Sequence, residues 1–334
     1  VDVVNDDTSA GVNKINAGIF PRNNGETHEL VFADAQGREQ SFSLKSADVI
    51  SSPVQNVKVL NNNGKKVGYL QFNSYIAPAQ PLLINAINQL RADNVSELVV
   101  DLRYNGGGLL ALSAQLGHMV TGSAIHQGRT FEVTKFNDKH PRINPVNNDV
   151  IEPLPFIGVE IDYQAGRVTS RTLPSLNLNR IVVLTTGSTC SASEAFINGL
   201  RGIDVEVVLV GGKTCGKPYG FYPTDNCGTT YFTVQFQGVN AKGFGDFADG
   251  FQPTAAPKLD TDVKGCPATD DFSKPLGDPN ENMLKTALHY LSNNSCPAGA
   301  VTAAAPLPVG KGLALEQPGA RWQQESIRMP LKNL

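Results

Sequence analysis

Short apolar runs alternate with amphipathic segments through the middle of the chain. Residues 181–184 (IVVL) form an apolar run that ends in a small polar turn at 185–190. A helical pattern follows over 191–201. A second apolar run covers 205–210 and ends in the small turn 211–216 and Lys217. Apolar run, amphipathic segment and apolar run together are the sequence form of a β-α-β unit, whose two strands lie parallel. Parallel strands end on one rim of their sheet, so a serine and a lysine 26 positions apart (217 − 191) come to the same rim.

The same pattern occurs upstream. Residues 67–72 read as a strand, 78–92 as a helix with Leu82, Leu83, Ile87 and Leu90 on one face, and 96–102 (SELVVDL) as a buried strand. That strand runs into Arg103-Tyr104-Asn105-Gly106-Gly107-Gly108, and a helix is expected over 109–120. Before this core, Asp7 or Thr8 can cap a short helix with Val12, Ile15 and Ile19 apolar. THELVFAD and EQSFSLKS then alternate around 35–38 as a hairpin. Residues 127–176 lack periodicity and read as a long insertion with at most a short hairpin. After Lys217, 229–236 alternates as one strand, 239–280 reads as loop, and 281–292 as a helix. The Ala/Pro-rich tail from 297, ending around Trp322, reads as extended. The Gly/Asn-rich stretch 61–66 reads as a linker. The expected domains are 1–53, 54–300 with the insertion 127–176, and a C-terminal extension 301–334.

Composition narrows the classes. Apolar residues make up 40% and charged residues 18% of 334, which excludes a disordered chain. A net charge of −3 gives no case for nucleic acid or an anionic membrane surface. No apolar run approaches the roughly 18 residues needed to cross a bilayer. The chain begins at Val1 without a methionine, which reads as a processed or truncated product. Cys190, Cys215, Cys227, Cys266 and Cys296 form no zinc pattern. Cys215–Cys227 and Cys266–Cys296 are the expected disulfides of an oxidising compartment, with Cys190 left over; five free thiols are the alternative.

Ser191 stands at the first turn of its helix, where unpaired N–H groups and the helix dipole favour a developing oxyanion. Ser188, Thr189 and Ser193 beside it also fit a plain capping role. A serine needs a base to become a nucleophile. A lysine serves when its amine is neutral, which burial favours, and Lys217 sits between Gly216 and Pro218 without an acidic neighbour. The glycine turn 106–108 can bring its backbone close to a ligand. It also satisfies G-x-G-x-x-A, but the acidic residue expected about 20 positions after a dinucleotide fingerprint is missing. His28, His118, His126, His140 and His289 are rival bases, and none lies in a recognisable turn after a strand. TTGSTCSASE fails the G-x-S-x-G elbow.

Taken together, GYLQF, Asp101-Leu102-Arg103-Tyr104-Asn105-Gly106-Gly107-Gly108, Ser191-Ala192-Ser193-Glu194 and Gly216-Lys217 resemble the S41 family of serine peptidases, the carboxy-terminal processing proteases. The resemblance implies an α/β, crotonase-like catalytic core after a PDZ domain, of which residues 1–53 are similar to the second half. It implies Ser191 as nucleophile, Lys217 as base and Glu194 as supporting carboxylate. The N–H groups of Ala192 and of Gly107 or Gly108 would form the oxyanion hole. Asp101 and Arg103 match a pair the family needs for activity. Some members carry a glutamine four positions after the lysine, where this chain has Phe221. The implied activity is a serine endopeptidase that cleaves exported or unfolded proteins, near their C-termini, through an acyl-enzyme. No cofactor, metal or nucleic acid is expected, and self-association is left open. The implied location is periplasmic or extracellular, with or without a lipid anchor. A non-catalytic peptide-binding or scaffold protein on the same fold is the alternative.

Overall fold

The structure is a computed structural model and describes residues 8–33 and 37–298. The chain divides between Ser51 and Ser52 into two compact units. In the first, Thr8 caps helix α1 (Ser9–Ile19) by accepting from the Gly11 N–H at 3.2 Å. Strands β1 (Thr27–Ala33) and β2 (Glu39–Lys45) pair antiparallel, with Thr27 opposite Lys45. Helix and hairpin fall where the apolar pattern places them. Asp7, positions 34–36 and the tail with Trp322 lie outside the described residues.

The second unit runs β3 (Val54–Asn62), β4 (Lys65–Phe72), α2 (Ala79–Ala92), β5 (Glu97–Asp101), α3 (Leu110–His126), β6 (Thr130–Lys135), β7 (Leu154–Pro155), β8 (Val159–Asp162) and β9 (Arg167–Thr172). It continues β10 (Arg180–Thr185), α4 (Ala192–Gly202), β11 (Glu206–Gly211), β12 (Tyr219–Gly220), β13 (Thr224–Asn226), β14 (Thr229–Tyr231), β15 (Phe236–Val239), β16 (Gln252–Thr254), β17 (Asp262–Pro267) and α5 (Asn282–Asn293). Seven strands form the main sheet in the order β16-β17-β11-β10-β5-β4-β3. Every neighbour pair is parallel except β3 and β4.

The apolar runs are continuous because both faces of this sheet are covered. Successive side chains point to opposite faces. Leu98, Val100, Ile181, Val183 and Leu209 pack with α2, α3 and α4 through residues such as Leu83, Ile87, Phe196 and Leu200. Val99, Val182, Leu184, Val208 and Val210 pack on the other side with Met283, Leu284, Ala287 and Tyr290 of α5. The result is a mixed α/β fold. The parallel strands β5, β10 and β11 deliver the glycine turn, the Ser191 turn and the Lys217 loop to one rim.

Several expectations need correction. The 61–66 stretch is a hairpin turn, since Asn62 pairs with Lys65 across it within one antiparallel ladder. The insertion is more ordered than its composition suggests. Its β6 joins a four-stranded sheet in the order β12-β15-β6-β7, and β8 pairs with β9 as a hairpin. The single strand expected over 229–236 is broken. Thr229–Tyr231 folds back on Thr224–Asn226 through Cys227 and Gly228, both at positive φ, whereas Phe236–Val239 pairs with β6. Both central residues at positive φ suit a two-residue hairpin turn. The 239–280 loop contains the edge strand β16 and its neighbour β17, whose glycine and prolines hide them.

Beneath the rim lies a buried ion cluster. Arg103 pairs with Asp101 at 2.7 Å, Asp270 at 2.9 Å and Glu281 at 3.0 Å. Tyr69 donates its hydroxyl to Asp101 at 2.6 Å, and Tyr104 donates to Asp270. Glu281 also caps α5, accepting from the Met283 and Leu284 N–H groups at 3.1 and 3.0 Å. Burial opposes the charge on Arg103, but the Asp101 hydrogen bonds and the three carboxylates outweigh it and hold the guanidinium above its ordinary pKa. The cluster ties the end of β5 to the start of α5.

Two stability outcomes follow from these buried charges. Arg103→Met strands carboxylates without their cation and is expected to lower unfolding free energy by about 3–5 kcal/mol in urea titrations. A loss below about 1 kcal/mol would contradict the role of the cluster. Glu132 on β6 is 7% exposed, and burial pushes its carboxyl up to about 8. The folded protein therefore keeps that proton while the unfolded chain, near 4.5, releases it. Stability falls as pH rises from about 4.5 to about 8. Glu132→Gln is expected to gain up to roughly 3 kcal/mol at pH 7, the gain vanishing in acid. Urea titration across pH checks this, and a gain independent of pH would contradict it.

Candidate active site

The turn between β10 and α4 ends in Ser191 at φ 55° and ψ −114°. For a residue with a side chain, such a conformation costs on the order of 1–3 kcal/mol, and it persists only where the surroundings over-determine it. Here the surroundings are visible. The Cys190 N–H donates to the Asn105 carbonyl at 3.0 Å, and the Ser193 hydroxyl donates to the same oxygen at 3.0 Å. The Thr189 hydroxyl donates to the Leu102 carbonyl at 2.8 Å. Thr189 and Ser193 are thus structural ties between the Ser191 turn and the glycine turn. Ser191, half-buried at the helix start, is not one of those ties.

Gly107 explains why the glycine turn needs glycine. A Cβ there would lie 2.8 Å from the Ala192 nitrogen and from the Ser191 Cβ, and its φ is +96°. Its N–H donates to the Asn105 Oδ1 at 3.0 Å. Among the described residues, the N–H groups of Ala192 and Gly108 donate to no protein group. Asn105 was not singled out in the sequence. It is fully buried, its amide donates to the Phe72 carbonyl at 2.8 Å, and it holds both turns. The available signal was a carboxamide between Tyr104 and three glycines, which reads equally well as a turn residue.

Glu194 brings the second loop in. Its carboxylate is fully buried. It accepts from the Ser191 N–H at 2.9 Å, the Gly216 N–H at 2.8 Å, the Lys217 N–H at 2.8 Å and the Thr214 hydroxyl at 2.6 Å. One carboxylate therefore binds the backbones of both candidate residues. The Lys217 ammonium lies 5.0 Å from the centroid of the Phe221 ring, a cation–π placement. It forms no ion pair and no hydrogen bond to Ser191 among the described residues. Asp101 and Arg103 belong to the ion cluster beneath the rim rather than to its surface.

The disulfides correct one pairing and meet the other. Cys266 joins Cys296 as expected. Cys190 joins Cys215, and Cys227 is an exposed free thiol. The reason is the path of the loop after β11. The Cys215 N–H donates to the Thr189 carbonyl at 3.1 Å, which brings the Cα atoms of Cys190 and Cys215 within 5.3 Å. Cys227 instead occupies the tip of the β13–β14 hairpin. Of the rival histidines, two are committed to each other. His118 and His126 pair with each other at 2.9 Å in α3, and burial, with His126 adding, pulls His118 down to about 4.

Comparison with known proteins agrees with this arrangement. Residues 66–220 match the model of peptidase family S41. A carboxyl-terminal-processing protease of Picosynechococcus sp. is 29% identical over 160 residues, covering 48% of this chain and 31% of that protein. The match thus spans less than a third of that curated relative's length. A crystal structure from Bacteroides fragilis, described as that of an S41 protease, aligns with a TM-score of 0.61 at 25% identity, covering 81% of this chain and 68% of the other. The matched segment contains the glycine turn, Ser191, Glu194 and Lys217 together. Residues 66–220 of this chain are thus similar to peptidase family S41.

Proposed function

We propose that this chain is a serine endopeptidase working through a Ser191–Lys217 dyad. The observation that carries the reading is the Glu194 carboxylate, which holds the Ser191 and Lys217 backbones together beneath one rim. In this reading Ser191 Oγ attacks a peptide carbonyl while the neutral Lys217 amine takes its proton. The new oxyanion meets the Ala192 and Gly108 N–H groups and the positive end of α4. Lys217 returns the proton to the leaving amine, and water then releases the acyl group from Ser191. Glu194 positions both partners without touching substrate.

The core is of the crotonase-like type in this reading, and the first unit is the closing part of a PDZ-like domain. The substrates are exported or unfolded proteins cut near their C-termini, in keeping with the name of the Picosynechococcus relative. Two disulfides favour an oxidising, periplasmic or extracellular setting. No helix among the described residues is long and apolar enough to cross a membrane.

Hydrolysis of an unfolded protein substrate tests the dyad. Ser191→Ala, Lys217→Ala and Lys217→Arg are each expected to lower kcat/KM by at least about 10³-fold, because a guanidinium cannot deprotonate. Melting temperatures should stay near that of the wild type. Equal turnover in all four proteins removes the dyad. Peptide binding by the wild type without turnover favours the non-catalytic reading.

A further inference from the structure

The Cys190–Cys215 crosslink joins the residue before Ser191 to a residue two before Lys217. It spans the same gap as the Glu194 carboxylate and the Cys215 N–H to Thr189 bond. The two disulfides differ in setting. Cys190 and Cys215 are both half-buried, whereas in the second bridge Cys296 is half-buried and Cys266 is fully buried in the layer beneath α5. A partly exposed disulfide is open to exchange with an incoming thiolate. The crosslink also anchors the turn that holds Ser191 at positive φ. Relaxing that turn would change the direction in which the Ser191 hydroxyl points.

We propose that Cys190 and Cys215 are positioning residues, whose crosslink keeps the Ser191 turn in register with the Lys217 loop, and that a dithiol which opens it lowers turnover without unfolding the protein. The effect on turnover rests on the peptidase reading above; the effect on loop register does not. In the reductive step a dithiol thiolate attacks one sulfur of the pair, giving a mixed disulfide and releasing the other cysteine as a thiol. The second dithiol sulfur then closes a cyclic disulfide and frees the remaining cysteine. The protein disulfide gains two electrons and two protons, and the dithiol loses both.

The test titrates the full chain with dithiothreitol and follows three readouts. Differential alkylation with mass spectrometry reports which disulfide has opened. Hydrogen exchange reports the backbone at Ser191, Gly216 and Lys217, whose amides donate to Glu194. Peptide hydrolysis reports kcat and KM. Cys190–Cys215 is expected to open before Cys266–Cys296. Exchange at those amides should then accelerate, and kcat should fall roughly tenfold to a hundredfold with KM little changed. Reoxidation should restore both, and Cys227→Ser should behave as the wild type throughout. The C190A/C215A double variant should match the reduced protein and ignore dithiothreitol. If that variant does not fold, the titration of the wild type decides. Unchanged exchange at these amides with Cys190–Cys215 open overturns the proposal. So does a kcat loss that follows Cys266–Cys296 instead. Absence of turnover in the oxidised wild type counts against the peptidase reading alone, since exchange still decides the register.

Discussion

The Glu194 carboxylate is the interaction on which the arrangement of the rim depends. A buried charge is expensive unless it is well satisfied. Here three backbone N–H groups and one hydroxyl satisfy it, and they come from two separate loops. Each loop would otherwise be free to choose its own conformation. The carboxylate makes their relative placement a condition of its own burial. That is why Ser191 can be held at φ 55° and ψ −114°, and why Lys217 starts from a fixed backbone position.

Other ties build outward from this one. Asn105 locks the glycine turn to the Ser191 turn through its carbonyl and its amide. The Arg103 cluster fixes the base of the glycine turn to α5, with Glu281 serving both the cation and the helix N-terminus. The parallel sheet supplies the rigid floor, buried on both faces. Rigid elements thus carry the strained residue, and the Lys217 side chain rests on the Phe221 ring.

The sequence was most readable where one physical demand dominates. Continuous apolar runs at β5, β10 and β11 announce strands buried on both faces, and the residues at their ends therefore fall on one rim. Glu194 at the third helical position also matches a recognisable family pattern. Legibility failed where the partner of a segment matters more than its composition. Alternation over 229–236 could not reveal that its first residues pair with Thr224–Asn226 and its last, Phe236, with Gly220 of β12. β16 and β17 have ordinary loop composition, and only the pairing of β17 with β11 and of β16 with β17 makes them strands. Cysteine pairing likewise depended on the path of the 211–217 loop, which no local pattern encodes. Asn105 was hidden because a buried carboxamide and an exposed turn residue look alike in a one-dimensional pattern.

The most direct measurement is the rate at which a fluorophosphonate probe acylates the folded protein, with the modified residue identified by peptide mass spectrometry. It compares the wild type with Glu194→Gln, which keeps the shape of the side chain but replaces the charged acceptor with an amide. The expected result is labelling at Ser191 in the wild type and a rate lower by roughly a hundredfold in Glu194→Gln, with the fold retained. Equal labelling of the two folded proteins at Ser191, or wild-type labelling at another residue, would contradict the central role of the carboxylate.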